Sequence, residues 1–321
     1  MKRKLTGSGP PAGEEKMWET VRQAGRKRKC EKRPGRQGGR EKQKRQLSRP
    51  EGGQRMELCE GKSTRVYECE NSLEGILTGI YRAWDARYGH EYIRLTVPEL
   101  SRDANLTFFC EYYTVEPDAE SARKVARSVR EKTSQEVYET MLRVLYSGRP
   151  EKADAVYHFL PSAFRMGKRV LEHLTDPYVR AVFEMNRQVS HEAHEYEGFL
   201  RFEETKDGIL MARFRPKNDL LELVTPHFED RFSGENFIIY DTGRGRAAFH
   251  RNGYPFVIRQ VTEEEMRRFS ENSEREEQFQ SLWTSFFETI AIEERKNAKL
   301  QRSMLPLHYR RYMTEMNAPA R

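Results

Sequence analysis

The sequence predicts an α+β fold: a single compact domain of mixed helices and mainly antiparallel strands, preceded by a disordered basic tail. The first observation is the order of elements, which reads strand, helix, two strands, a block of helices, a strand meander and further helices. A regular alternation of strands and helices is absent from that order. The second is composition: the 321 residues are only 36% hydrophobic and 33% charged, so part of the chain is predicted to lack a packed core.

The positive charge of the chain is concentrated at its start. Residues 1–55 hold 18 Lys or Arg and six Glu, a net charge of +12, whereas the whole chain carries +7. The rest is therefore acidic in total, and net charge alone does not predict nucleic-acid binding by the folded part. With few large apolar residues, 1–60 is predicted to be a disordered tail. It is a phosphate-binding arm, a disordered extension without a binding role, or a misread upstream region with the true start at Met56.

Periodicity predicts the elements of the first half. "TRVYECE" (64–70) alternates and predicts a strand, and Asn71 or Ser72 then caps an amphipathic helix. "YIRLTV" and "LTFFCEYYTV" are rich in β-branched and aromatic residues and predict two more strands. Four helices follow up to Gly198, with a break or kink expected at Pro161.

The clearest local signal is a hairpin. In "GFLRFEETKDGILMARFRP" two alternating runs flank the turn sequence "KDG". Arg213 and Arg215 alternate there with Ala212 and Phe214, so one face is expected to be basic and the other buried. "NFIIYD", "RAAFH" and "PFVIRQV" predict three further strands. Together these elements predict one folded domain over 64–316.

The stretch from Ser281 to Met313 has an aromatic first half and a basic second half. An apolar stripe at helical spacing is most often core, and we predict that this one is buried. Arg295, Lys299 and Arg302 then recur at about one-turn spacing. They are either contacts for nucleic-acid phosphates or a solvated helix face, and the sequence leaves both open. The apolar stripe consists of Leu282, Trp283, Phe286, Phe287 and Ile290.

Histidines and cysteines give weaker signals. His191 and His194 lie near two glutamates and could hold a metal ion, but without the H-E-x-x-H spacing helix-surface histidines are favoured and no metal site is predicted. His227 is either an acid–base residue or a loop brace, with bracing favoured. The four cysteines form no C-x-x-C motif, so neither structural zinc nor another cofactor is expected. That pattern and the absence of a membrane-spanning run predict a cytoplasmic protein.

Several separated segments resemble a bacterial family of DNA-metabolism or DNA-repair proteins, in the same order along the chain from Val66 to Met316. They are "YECENSLEGILTGIYRAW", "HEYEGFLRFEETKDGILMARFRP", "VTPHFEDRF", "FIIYDTGRGRA" and "LWTSFFETIAIEERKNAKLQRSMLPLHYRRYMTEM". The resemblance implies a partner, a radical S-adenosylmethionine DNA modification or repair protein. In other bacteria a similar domain is fused to a uracil-DNA glycosylase-type domain. Residues 1–55 lie outside the resemblance, which favours a start at Met56.

The resemblance makes DNA the expected partner and raises three hypotheses. The first is an accessory DNA-binding protein in repair or modification without catalysis of its own. The second is an enzyme acting on DNA or nucleotides, hydrolase-like or glycosylase-like, with a site of His194, His227 and Asp241. The third is a pure protein–protein adaptor. The residues expected to contact nucleic acid are Arg201, Arg213, Arg215, Lys217, Arg231, Arg244, Arg295, Lys299 and Arg302.

Overall fold

The computed structural model describes residues 62–101, 110–267 and 272–317. The predicted tail (1–60) and the alternative start at Met56 lie outside the described residues. The described residues form helices and two separate β-sheets, which confirms the predicted α+β class.

The first sheet is three-stranded and parallel. Strands β1 (Thr64–Cys69), β2 (Ile93–Thr96) and β3 (Cys110–Val115) lie in the order β2-β1-β3. This sheet departs from the antiparallel pairing that the sequence predicts, because helix α1 (Leu73–Asp85) carries the chain back between β1 and β2 as a crossover. The helix is capped as expected: the Ser72 hydroxyl accepts a hydrogen bond from the Gly75 amide at 2.9 Å.

Four helices complete the first core and reach into the second. They are α2 (Ala119–Lys132), α3 (Gln135–Leu145), α4 (Lys152–Met166) and α5 (Pro177–Phe199). Helix α4 runs through Pro161 and ends at Met166, and the C-cap residue Gly167 has a φ of +57°. Helix α5 is shared, because Val179 to Met185 pack in the first core and Val189 to Tyr196 in the second.

The second sheet has the order β4-β5-β6-β7-β8. Its first pair is the predicted hairpin around "KDG", with Gly208 at φ +71° and with Ala212 and Phe214 buried. Pairing is antiparallel except between β5 and β6, which are parallel because helix α6 connects them. The bounds are β4 (Phe202–Glu204), β5 (Leu210–Phe214), α6 (Leu221–Arg231), β6 (Phe237–Asp241), β7 (Arg246–His250) and β8 (Val257–Gln260).

The last helices lie on the surface. Thr262 and Glu265 form a capping box at the start of α7 through reciprocal hydrogen bonds. The apolar stripe of α8 was predicted to be core, and that prediction is wrong for four of its five residues: Leu282, Trp283, Phe286 and Ile290 are 44–65% exposed, whereas Phe287 is half-buried. The reason is the orientation of the helix, which turns a mainly polar side toward the body. The bounds are α7 (Glu263–Arg267), α8 (Glu274–Thr289), α9 (Ala298–Met304), α10 (Leu307–Arg310) and α11 (Thr314–Asn317).

Within the described ranges, no helix is both long enough and apolar enough to cross a membrane.

Candidate functional site

A polar cleft of about 830 Å³ lies between the two sheets. Four of the residues that line it follow the carboxyl ends of β1, β2, β5 and β6, namely Asn71, Glu99, Arg215 and Arg244. The carboxyl ends of parallel strands meet at one edge of a sheet, and ligands of α/β proteins bind there. Here β1 is parallel to β2 and β5 is parallel to β6, so two such edges contribute to one cleft.

The two sheets give the cleft walls of different charge. From the first sheet come three exposed carboxylates, those of Glu70, Glu74 and Glu99. The amino end of α1 also faces this wall, since Ser72 and Leu73 line it. From the second sheet and its loops come the guanidinium groups of Arg215, Arg244 and Arg246, together with the carboxylates of Asp219 and Glu222, which pair with Arg246. The cleft therefore has an acidic wall and a basic wall.

Lys152, at the start of α4, contributes a buried amine to this cleft. The residue is 3% exposed, and its Nζ donates to Asn71 Oδ1 and to the Leu145 carbonyl, both at 2.7 Å. Burial lowers the pKa of Lys152 to about 8. Among the described residues no carboxylate lies within ion-pair distance of Nζ. Two hydrogen bonds leave one tetrahedral direction of the amine for a third proton or for a lone pair.

The loop that carries Arg215 is braced by Glu192 of α5. Its buried carboxylate accepts hydrogen bonds from the Lys217 amide at 2.8 Å, from the Asn218 amide at 3.0 Å and from the Asn218 side chain at 2.6 Å. On the other side the loop lies against Gly148, where a Cβ would come within 2.5 Å of the Lys217 carbonyl oxygen. Only glycine allows this approach, so the backbone of the basic wall is held from two directions.

Two of the cleft arginines are occupied by internal contacts. Arg244 donates to Asp241 at 3.0 Å and to the carbonyls of Pro216 and Lys217. Arg246 forms an ion pair with Asp219 and a second, at 3.6 Å, with Glu222. These contacts fix the wall and leave Arg215 as its exposed guanidinium, with no described carboxylate within ion-pair distance.

Asp241 is buried beneath this wall. Its side chain is fully enclosed, and it also accepts hydrogen bonds from the amides of Gly243 and Arg244. Burial raises the pKa of Asp241, and the Arg244 guanidinium opposes that rise. The carboxyl group shapes the turn after β6 and has no contact with the cleft solvent.

A second groove, of about 900 Å³, lies beside the cleft and shares Gly148 with it. Lys217, Arg149 and Arg187 line this groove, so Arg215 and Lys217 of one loop serve two neighbouring cavities. The two carboxylates in the groove are engaged: Glu192 holds the loop, and Glu195 accepts a hydrogen bond from the Tyr309 hydroxyl.

The structure brings together only part of the predicted nucleic-acid contacts. Arg215, Lys217 and Arg244 share one loop junction. Arg201 and Arg213 are each paired with a carboxylate, Arg201 with Glu315 at 2.8 Å and Arg213 with Glu203 at 3.5 Å. The remaining four are exposed and line neither the cleft nor the groove: Arg231, Arg295, Lys299 and Arg302.

The residues predicted as a catalytic set are placed apart. The His194 side chain is 87% exposed on α5 and lies 3.3 Å from Glu197. His227 is exposed on α6, edge-on to Phe228, and Asp241 is buried. In the part of the chain that the structure describes, no hydrogen bond or ion pair joins two of the three. The three side chains therefore do not form one hydrogen-bonded group in the described residues, and their catalytic role stays a prediction.

Sequence reasoning missed several residues of the site. Glu192 was weighed only as a metal ligand beside His191 and His194, yet it holds backbone amides, and no metal-binding group of three side chains occurs among the described residues. Lys152 could have been suspected, because it begins a helix of largely apolar character. The pairing of Arg246 with Asp219 joins distant parts of the chain and leaves no local signal.

A family model described as a domain of unknown function, DUF4130, matches residues 150–315. The matched segment contains Lys152, Glu192, Arg215 and Arg244, and the acidic wall lies outside it. No curated protein and no solved structure matches the chain. Since the family model covers more than half of the residues, the chain belongs to the DUF4130 family.

Proposed function

We propose that this protein is a cytoplasmic accessory protein of DNA repair or modification, and that its cleft holds one nucleotide of a bound DNA strand. The observation that carries the proposal is the pairing of walls: Arg215 is exposed on the basic wall, and three exposed carboxylates form the acidic wall. A cleft that binds only the phosphates of a DNA strand would be cationic on both walls. A nucleotide has both an anionic phosphate and hydrogen-bond donors on its base, and it therefore complements both walls.

The chemistry of each wall fits one part of the nucleotide. Arginine binds phosphate oxygens through paired, charge-assisted hydrogen bonds. Carboxylates such as Glu99 accept hydrogen bonds from base amino groups, as they do in DNA grooves. The volume of the cleft, about 830 Å³, lies within the range of ligand pockets in proteins.

The adjoining groove extends this interaction along the strand. Lys217 projects into the groove from the same braced loop that presents Arg215 to the cleft. Consecutive phosphates of one strand would then meet Arg215 and Lys217 in turn, with Arg187 further along the groove and Arg149 beside it, paired with Glu151. Contacts of this kind position the strand without reading its sequence.

A DNA-binding assay at several salt concentrations tests the proposal. In the full chain, Arg215→Ala with Lys217→Ala should weaken binding of a single-stranded oligonucleotide about tenfold, from the loss of two charge-assisted contacts. The slope of log affinity against log salt should fall by between about 1 and 2 units. The matched control is Arg123→Ala with Arg127→Ala, two exposed arginines of α2, which should leave affinity unchanged. Equal affinity and slope in both variants would contradict binding at the cleft.

The partner is the second part of the proposal and rests on the resemblance of this sequence to DNA-metabolism proteins. A radical S-adenosylmethionine DNA modification or repair protein, or a uracil-DNA glycosylase-type protein, is the expected companion. A pull-down of the full chain with and without nuclease tests it. Recovery that is lost after nuclease indicates a contact through DNA. Recovery that survives nuclease, together with no DNA affinity, selects the adaptor hypothesis.

A second candidate function is enzymatic, and Lys152 favours it. The amine is buried in the cleft, has no carboxylate partner among the described residues and has a pKa lowered to about 8 by burial. A neutral lysine amine adds to an aldehyde carbon; water then leaves and an imine forms. The abasic sugar of damaged DNA offers such an aldehyde in its open form. This chemistry would make the protein an enzyme acting on DNA, with Lys152 in place of the predicted histidines.

Borohydride trapping separates the two candidates. Borohydride reduces an imine to a stable amine, so an abasic-site oligonucleotide would become covalently attached to Lys152. Peptide mapping must locate the adduct at Lys152, because other lysines of the chain can react. Lys152→Gln should abolish this adduct, and Lys168→Gln, on the surface, should retain it. Absence of an adduct at Lys152 in the unaltered chain would leave the accessory function as the only one supported.

A further inference from the structure

Large apolar side chains are exposed mainly in one part of the molecule. Of the fifteen such residues among those described, nine lie between Phe279 and Leu307. Monomeric proteins rarely expose apolar surface in a contiguous patch unless something binds there. The five that belong to α8 and the residue after it are Phe279, Leu282, Trp283, Phe286 and Ile290.

Helix α8 is oriented with its polar side inward. The half-buried residues that face the body are mainly polar, namely Glu276, Gln280 and Thr284 at the four-residue spacing of one helix face, followed by Phe287. Glu276 fixes this orientation, because its carboxylate accepts hydrogen bonds from the Glu204 amide of edge strand β4 at 3.1 Å and from Gln280 at 2.9 Å. All of the apolar stripe except Phe287 therefore faces outward as a consequence of specific contacts, which is the arrangement of a helix that packs against another molecule.

The charges around the stripe favour one occupant. The first turn of α8 is acidic in total, with Glu274 and Glu277 exposed beside Arg275, and the segment after the helix is basic in total, with Lys299 and Arg302 exposed. A surface that is acidic at one end and basic at the other complements itself when two copies pair antiparallel about a two-fold axis. Antiparallel pairing also sets the two helix dipoles in opposite directions.

We infer that the outward face of α8 is the interface of a homodimer, in which the stripe of one copy packs on the stripe of the second copy. The acidic first turn of each helix then lies against the basic segment of the other. This assigns Lys299 and Arg302 to contacts between subunits instead of phosphates. The inference is independent of what the cleft binds.

The molar mass of the full chain in solution tests the inference. Light scattering after size exclusion should give twice the mass of one chain. Phe286→Glu, on the outward face, should shift the midpoint of dissociation at least tenfold toward higher concentration. Phe183→Glu is the matched control, since Phe183 is a 43% exposed phenylalanine of α5 outside the stripe, and it should remain dimeric. A monomeric wild-type chain would overturn the inference, including the case in which the stripe captures a different protein.

Charge exchange tests the antiparallel arrangement separately. Glu274→Lys with Glu277→Lys should weaken the dimer, and so should Lys299→Glu with Arg302→Glu. The four changes together should restore it, because the ends of the surface are then exchanged in both copies. Additive weakening in the fourfold variant would overturn the arrangement, and circular dichroism of each variant distinguishes loss of pairing from loss of folding.

Discussion

Helices α1 and α8 carry the same kind of apolar stripe, but only α1 buries it. In α1, Ile76 and Ile80 are fully buried against the first sheet. In α8, Leu282 and Phe286 are 65% and 54% exposed, although their spacing is equally regular. The difference shows that apolar periodicity predicts that a segment is helical and which of its faces is apolar. What covers that face depends on contacts made by the opposite side, such as the Glu276 bond to β4.

The arginines of the cleft show the same difference for charge. Arg244 and Arg215 lie in one wall, yet Arg244 is occupied by Asp241 and two backbone carbonyls, while Arg215 is exposed. The residue type alone therefore does not predict whether an arginine side chain is held by contacts within the protein or is available to a ligand. Matched pairs of one residue type, one buried or occupied and one exposed, test this directly.

The largest effect on stability is expected when a buried isoleucine of α1 is compared with an exposed isoleucine after α8. Ile80→Ala removes buried methyl groups from the first core and should lower the free energy of unfolding by about 2–5 kcal/mol. Ile290→Ala, at a position 56% exposed, should change it by less than about 0.5 kcal/mol. Urea unfolding of both variants at a concentration where the chain is monomeric measures the difference. Equal losses would mean that α8 packs its stripe within one subunit.

The next pair compares two lysines, one buried and one exposed, by the pH dependence of stability. Because the folded pKa of Lys152 is about 8 and an unfolded lysine has one near 10.4, the unfolded state holds more protons between these values, and stability should rise with pH. From pH 7.5 to 9.5 the rise should reach about 2 kcal/mol relative to Lys152→Met. Lys168→Met should behave as the wild type, since a hydrogen bond from Lys168 to Glu136 raises the pKa of Lys168 and moves its titration above this window. A pH dependence that survives in Lys152→Met would contradict the burial of that amine.

Glutamates of helix α5 provide the third pair. Glu192→Ala leaves two backbone amides of the 217–218 loop without acceptors and should cost about 2 kcal/mol. The same variant should also lower DNA affinity, because Arg215 and Lys217 lose their fixed positions. Glu184→Ala, exposed on the same helix, should alter neither property. Thermal melting measures the stability of the two variants, and fluorescence anisotropy of a labelled oligonucleotide measures their DNA affinity.

The smallest stability effect is expected for the two cleft arginines. Arg244→Ala removes the partner of Asp241 and should lower stability by about 1–2 kcal/mol. Arg215→Ala should change stability by less than about 0.5 kcal/mol while weakening DNA binding. A loss of stability in Arg215→Ala with none in Arg244→Ala would contradict these assigned roles.

Local patterns predicted much of the fold, because their causes are local. The Ser72 cap and the "KDG" hairpin each depend on residues close in sequence, and both are present. The parallel first sheet was not predicted, since strand direction depends on the crossover through α1. The outward stripe of α8 was missed for a similar reason, because Glu276 meets β4 across 72 positions of the chain.

The candidate site was predicted only in its basic residues. Arg215, Lys217 and Arg244 were named from the sequence, and they do meet at one junction. The acidic wall and Lys152 come from distant parts of the chain, and no local pattern links them to the hairpin. The histidines drew attention because of their chemistry, but their exposure on helix surfaces separates them.

Hydrogen exchange of the full chain, with and without a single-stranded oligonucleotide, tests the central claim most directly. The account predicts new protection of peptides that cover the two cleft walls, residues 70–75 and 215–219, and none in the α8 stripe. Protection confined to residues 1–55, or spread evenly over the exposed lysines and arginines, would contradict a nucleotide site between the two sheets.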